Sequence, residues 1–310
     1  MELFTRHDAN PLLDAQRWPV PVNTVFNPGA AVVDGETVLL CRVEDRRGIS
    51  HLTVARSADG ITGWRVDAEP LVRDDPDDFS SRWGVEDARI TRVDDLDAWV
   101  FTYTAYGPEG PCVALALTPD FRTVEPIGAI LPPEDKNATL LPRRIDGKFV
   151  LLHRPVARLT GSPGVWLSRS TDLRSWTAPE PVFSARGGPW WDSVRIGMGP
   201  PPVETQHGWL GIYHGVKQVA NGLVYRVGLV LLDLDNPARV LRRTDGWVFG
   251  PDGPYELVGD APNVVFPTGL IHDPASGELR LYYGAADTTI CLATAPLPKV
   301  LDAVLSAPAA

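Results

Sequence analysis

The sequence predicts an all-β fold, a five-bladed β-propeller with four antiparallel strands per blade, and three observations carry that prediction. One hairpin pattern is written five times at intervals of roughly 50 to 65 residues, the signature of a repeat array. A second, alternating strand that closes on an Asp-, Gly- or Pro-marked turn recurs between those hairpins. No long amphipathic helical run competes with either pattern.

Each hairpin opens on a start motif, passes a turn and ends in an apolar strand with an aromatic or charged tip. Phe26-Asn27-Pro28-Gly29 runs through Asp34-Gly35 to Leu39-Leu40-Cys41-Arg42, and Glu86-Asp87-Ala88-Arg89 through Asp94-Asp95 to Val100-Phe101-Thr102-Tyr103. Lys136-Asn137-Ala138-Thr139 runs through Asp146-Gly147 to Leu151-Leu152-His153-Arg154. The fourth copy starts at Gly199-Pro200-Pro201-Pro202 and reaches Ile212-Tyr213-His214; the fifth runs from Asn263-Val264-Val265-Phe266 to Tyr282-Tyr283-Gly284. The strand that follows each hairpin alternates with period two, as in Leu52-Thr53-Val54-Ala55-Arg56-Ser57 before Asp59-Gly60 and Trp64. Its relatives are Ala114–Thr118, Val165–Ser170, Gly228–Asp233 and Ile290–Ala295. Two hairpins per repeat make a four-stranded sheet, and five sheets closed around an axis leave only short, protected edges. Repeats that cannot bury their faces singly argue for one domain over residues 1–310.

Composition bounds the function. Thirty Pro and 28 Gly suit a chain made of turns. Three cysteines, Cys41, Cys112 and Cys291, sit mostly in apolar strand runs without metal-ligand spacing, so free buried thiols in a reducing compartment are expected. The N-terminal residues lack an apolar targeting segment and no run is long enough to span a bilayer, so a soluble, cytoplasmic protein is expected. A net charge of -10 argues against a nucleic-acid surface, which needs basic stripes.

In a propeller the head of each first strand and the end of the next converge around the central channel. Those positions hold Asn27, Arg42, Asp87, Lys136, Asn137, Arg154, Arg195, His214 and Asp287, where a purely structural repeat would prefer Gly, Val or Thr. Singly, each has an ordinary explanation, because Asp and Asn cap turns and a strand-end Arg is usually a solvated rim charge. Their coincidence by repeat position points to a site. Lys136, Arg154, Arg195 and His214 would reach it from three successive repeats.

At these residues the chain resembles the family 130 glycoside hydrolases and phosphorylases, five-bladed propellers acting on β-mannosides. The likeness extends from Phe26-Asn27-Pro28 to Tyr282-Tyr283-Gly284-Ala285-Ala286-Asp287 and includes Val85–Ile90, Lys136-Asn137-Ala138, Gly147–Pro155, Trp191–Gly199, Gly208–Val216 and Leu231–Pro237. Ala88 departs from the Pro usual in the family's Glu-Asp-Pro-Arg motif and removes no functional group. The resemblance implies that Asp87 is the general acid and that Asn27, Arg42 and Asp287 hold the mannosyl unit beside the cleaved bond. It implies a phosphate site at Lys136, Arg154, Arg195 and His214, with the proton of Asp87 passing through a mannosyl hydroxyl. The product implied is α-mannose 1-phosphate, with inversion.

An inverting hydrolase needs a second carboxylate to deprotonate water. Phosphate is already an anion, so a phosphorylase needs the acid and cations that hold the nucleophile in line. The expectation is therefore a β-mannoside phosphorylase with inorganic phosphate as co-substrate, a β-linked mannoside as partner, and neither metal nor cofactor. A β-mannosidase and a non-catalytic sugar-binding propeller are the alternatives. Trp83, Trp190 and Trp191 are candidates to stack on sugar, whereas Trp64, Trp99, Trp166, Trp176 and Trp209 are expected between blades. His153, one residue from Arg154, should face the other side of its strand.

Overall fold

A computed structural model describes residues 2–156 and 164–309. Five antiparallel sheets form a ring, as the repeats predict. Blade 1 comprises Thr24–Val33, Glu36–Glu44, Ser50–Ser57 and Arg65–Val66, and blade 2 comprises Val85–Val93, Ala98–Gly107, Gly110–Thr118 and Glu125–Ala129. Blade 3 comprises Asp135–Leu140, Phe149–Pro155, Gly164–Ser170 and Glu180–Ser184. Blade 4 has Arg195–Met198 innermost, then Gly208–Val219, Gly222–Leu232 and Val240–Arg243. Blade 5 has Val265–Asp273, Glu278–Ala285 and Thr289–Pro296.

The fourth strand of blade 5 comes from the other end of the chain. Thr5–Arg6 pairs antiparallel with Thr289–Pro296, which joins the first described residues to the last blade. The join is locked by a buried ion pair: Arg6 Nε and Nη2 each donate to the Glu256 carboxylate at 2.9 Å, and the Tyr283 hydroxyl donates to it at 2.7 Å. A nine-residue helix, Leu297–Leu305, follows blade 5 and buries Val300 and Val304.

The polar turns after the third strands share one construction. In blades 1, 2 and 3 the carboxylates of Asp59, Asp120 and Asp172 accept backbone N–H bonds two and three residues on. Trp64 and Trp176 return an indole N–H to Ile61 and Leu173. Trp64, Trp99, Trp176 and Trp209 pack on the hydrophobic clusters of the blades, as expected.

Two expectations need correction. The fourth hairpin opens at Arg195, not at Gly199, because Pro200, Pro201 and Pro202 cannot donate to a ladder and interrupt the inner strand before Val203–Thr205 resumes it. Lys136, Arg154, Arg195 and His214 therefore come from two adjacent blades, the third and fourth, rather than from three.

Candidate active site

The inner strands of blades 1, 2 and 3 carry the same irregularity near their first residues. Pairing slips between Phe26 and Gly29, between Glu86 and Arg89, and between Lys136 and Thr139. Inside each slip one residue is left-handed: Asn27 at φ 45°, Asp87 at 53° and Asn137 at 55°. Asn and Asp tolerate that conformation better than other side chains, and a bulge re-aims the residue it displaces. The three bulges thus deliver Asn27, Asp87 and Asn137 to one place. Asp287, also left-handed at φ 50°, joins them from the turn after Glu278–Ala285.

All nine residues expected from sequence to converge on the channel line a single cavity of about 720 Å³, together with Tyr225, Phe266 and the segment Asn221–Leu223. Close packing of backbone makes room for them. A Cβ at Gly284 would lie 1.8 Å from Asn27 Oδ1, and one at Gly197 would lie 2.6 Å from the His214 ring.

One side of the cavity is built around Asp87. Its Oδ1 accepts from Asn27 Nδ2 at 2.9 Å and from Arg42 Nη1 at 3.2 Å. Arg42 also donates to Ser50 Oγ at 3.0 Å and to Glu86 Oε1 at 3.2 Å, which fixes its guanidinium in place. Burial alone would raise the Asp87 pKa, but Arg42, Arg89, the Asn27 hydrogen bond and Lys136 outweigh it and hold the carboxyl below its ordinary range. Asp287 behaves oppositely. Burial first, then the neighbouring Asp87 charge, push it up to about 6 against the pull of Arg42.

The other side is cationic. Lys136 and Arg154 are directly opposed across the first two strands of blade 3, an arrangement of like charges that is unfavourable by itself. Arg195 donates to the Tyr225 hydroxyl, and neither it, Lys136 nor Arg154 has a carboxylate partner among the described residues. Burial and the Arg195 charge pull Arg154 down to about 10. His214 is buried, and burial followed by Arg154, Arg89, Arg195 and Lys136 lowers it well below the usual imidazole range. It is thus a neutral ring here, which the residue type alone did not reveal. Three buried polar atoms of the cavity have no protein partner: Asn27 Oδ1, Arg154 Nε and His214 Nδ1. Buried polar groups seldom stay unpaired, so these three are exceptions clustered around the cavity.

Arg89 escaped the sequence reading because it follows the bulge and is not among the residues that line the cavity. Fully buried, it donates to the Asp87 carbonyl, to Gly199 O at 3.4 Å and to Asn137 Oδ1 at 3.3 Å, so one guanidinium ties blades 2, 3 and 4 together. Tyr225 and Phe266 were also missed. They flank His214, with ring centroids 5.9 and 4.7 Å from it. His153 is where its strand position predicts, away from the cavity, bonded to Asp135 Oδ2 at 2.6 Å and Ser168 Oγ at 3.1 Å.

The tryptophan candidates lie elsewhere. Trp191 is buried, packs on Tyr213 and donates its indole N–H to the Asp245 carbonyl at 2.8 Å. Trp83 is exposed and meets Tyr106 edge-on, and neither Trp83 nor Trp190 lines this cavity.

A family model described as beta-1,4-mannooligosaccharide phosphorylase matches residues 6–306. The chain belongs to glycoside hydrolase family 130. Within that family it is 33% identical to the beta-1,4-mannooligosaccharide phosphorylase of Ruminococcus albus, over 98% of this chain and 92% of the relative. The fold superposes on the beta-1,2-mannobiose phosphorylase of Listeria innocua, solved with beta-1,2-mannobiose, with a TM-score of 0.89 at 28% identity, covering 97% of this chain and 99% of that one. A family 130 glycoside hydrolase structure, described as targeting beta-1,2 mannosidic linkages in Candida mannan, matches with a TM-score of 0.82 at 27% identity over 94% and 93% of the two chains. Family membership thus spans phosphorolysis and hydrolysis.

Proposed function

We propose that this protein is an inverting β-mannoside phosphorylase, releasing α-mannose 1-phosphate from the non-reducing end of a β-linked manno-oligosaccharide. Phosphorolytic cleavage of β-mannosidic bonds is the activity its named relatives share. One observation carries the choice over hydrolysis: Lys136, Arg154 and Arg195 line the cavity without a carboxylate salt-bridge partner among the described residues, while the lining carboxylate Asp87 is held by Arg42 and Asn27. Activating water on the cationic side would fall to His214, whose burial among positive charges makes it a poor base. An anion needs none.

In this reading Asn27, Arg42 and Asp287 hold the mannosyl ring, and Lys136, Arg154, Arg195 and His214 hold phosphate. A phosphate oxygen forms a bond to C1 from the face opposite the glycosidic oxygen. The C1–O bond breaks, and the departing oxygen takes the proton that originates on Asp87. The reverse reaction retraces the same path. A general acid must begin protonated, yet the surroundings of Asp87 favour its ionised form. Phosphate bound among Lys136, Arg154 and Arg195 would offset part of that positive field and move the Asp87 and His214 pKa values upward together.

Sulfate tests that coupling, because it does not titrate in this range. Anion binding stabilises the protonated forms of Asp287, already pushed up to about 6, and of His214 and Asp87, which lie lower, so sulfate should take up protons and bind more tightly at pH 5 than at pH 8. The limit is about tenfold per pH unit for each proton. Calorimetry in buffers of different ionisation enthalpy reads the uptake; pH-independent binding with no proton exchange would refute it.

A second expectation concerns the sugar. Arg42→Ala and Asp287→Ala should weaken mannose 1-phosphate in synthesis as much as the disaccharide in phosphorolysis, by about tenfold or more for a lost charged hydrogen bond. An effect confined to the acceptor would place these residues in the neighbouring subsite. We further propose that the five blades act as one catalytic unit in the cytoplasm; the three free, buried cysteines suit a reducing compartment.

A further inference from the structure

Blade 4 keeps two indoles at the surface on the far side of its long hairpin. Trp190 and Trp247 are 40% and 47% exposed and line one groove of about 500 Å³ with Lys217, Val219 and Arg226. Neither indole is loosely held. The Arg186 guanidinium lies 4.5 Å from the Trp190 ring centre, and that of Arg226 lies 4.3 Å from Trp247. Arg186 is itself anchored to the carbonyls of Thr244 at 2.8 Å and Asp245 at 3.1 Å, and buried Trp191 bonds the same Asp245 carbonyl.

Leaving two large aromatic faces in water is unfavourable, so held indoles beside donors suit a ligand that is apolar on one face and polar at its rim. A pyranose ring has that form. Its axial C–H face covers an indole, and its hydroxyls accept from cations. Lys217 donates to the Pro189 carbonyl at 2.7 Å and has further protons available, and Arg226 has no carboxylate partner among the described residues. The hairpin links this groove to the catalytic cavity. Asn221, Gly222 and Leu223 at its tip line the cavity, whereas Lys217 and Val219 just below the tip line the groove.

We propose that the Trp190–Trp247 groove is a second sugar-binding site, which takes β-linked mannosyl units beyond the bond being cleaved and so favours oligosaccharides over disaccharides. The proposal rests on the mannoside phosphorylase reading for its choice of sugar. It adds a site that no catalytic step requires.

The test uses the full chain and the double variant Trp190→Ala/Trp247→Ala, with β-1,2- and β-1,4-linked mannobioses and mannohexaoses as probes. The double variant should raise KM for the hexaose that the wild type cleaves by about tenfold and leave kcat/KM for the corresponding mannobiose unchanged. Without phosphate, calorimetric binding of that hexaose should weaken by a similar factor. Equal KM values in wild type and variant overturn the groove while leaving the phosphorylase reading intact. A wild type that turns over no mannoside yet binds hexaose through Trp190 and Trp247 upholds the groove and sinks that reading. A variant that changes only its sedimentation, with hexaose binding unaffected, assigns the groove to self-association and overturns the proposal.

Discussion

An Asp87→Asn protein is expected to fold normally and to lose at least about a hundredfold of its turnover on an unactivated β-mannoside, the scale of a missing general acid. The replacement isolates the proton. Asparagine accepts the left-handed backbone at φ 53°, and its carbonyl oxygen can still receive the bonds from Asn27 at 2.9 Å and Arg42 at 3.2 Å. A melting curve establishes folding, and phosphate-dependent release of mannose 1-phosphate measures the loss. Asp287, whose carboxyl is pushed up to about 6 in the same cavity, is the competing acid. An aryl mannoside with a good leaving group separates the two, because departure no longer needs protonation. It should restore most of the rate to Asp87→Asn and little to Asp287→Asn. Near-normal turnover of a mannobiose by Asp87→Asn removes Asp87 from the acid's role.

The legible part of this site was written in position rather than in residue type. Asn27, Asp87 and Asn137 occupy the same offset in three repeats, and that offset proved to be the left-handed residue of a bulge. The third-strand turns were legible for the same reason, since Asp59, Asp120 and Asp172 each follow an alternating strand at one spacing. What escaped had no periodic signal. A two-residue strand, Thr5–Arg6, is too short to alternate, so the closing partner of blade 5 could not be read locally. Arg195 was found as a site residue, but the Pro200–Pro202 break made a later position look like the strand's start. Trp190 and Trp191 are neighbours in sequence with opposite fates, one exposed beside Arg186 and one buried with its indole bonded to the Asp245 carbonyl, partners that lie far off in the chain or carry no periodic signal. The sequence placed His214 with the basic residues of the phosphate site but could not tell its charge, which burial and four surrounding positive groups decide in favour of the neutral ring.

The largest effect on the nucleophile is expected from Arg154→Ala, which should raise the apparent KM for phosphate tenfold or more and leave mannose binding nearly unchanged. Arg154 opposes Lys136 across two strands, its Nε is buried without a partner, and burial with the Arg195 charge depresses its pKa to about 10. Charge-assisted bonds from such a group are worth about 1.5 to 3 kcal/mol each, enough for tenfold or more in affinity. The same strain predicts an opposite effect on stability. Without an anion, three unpaired cations repel one another, so Arg154→Ala should melt no lower than the wild type, and higher at low ionic strength. Saturating phosphate should then favour the wild type, because a ligand at 100 times its Kd stabilises the wild type by about 2.7 kcal/mol and a tenfold weaker variant by about 1.4 kcal/mol. Sulfate should compete with phosphate in the wild type and only weakly in the variant. The hydrolase alternative predicts none of this: full-rate mannose release without phosphate, with Arg154→Ala indifferent to the anion, would establish water as the nucleophile.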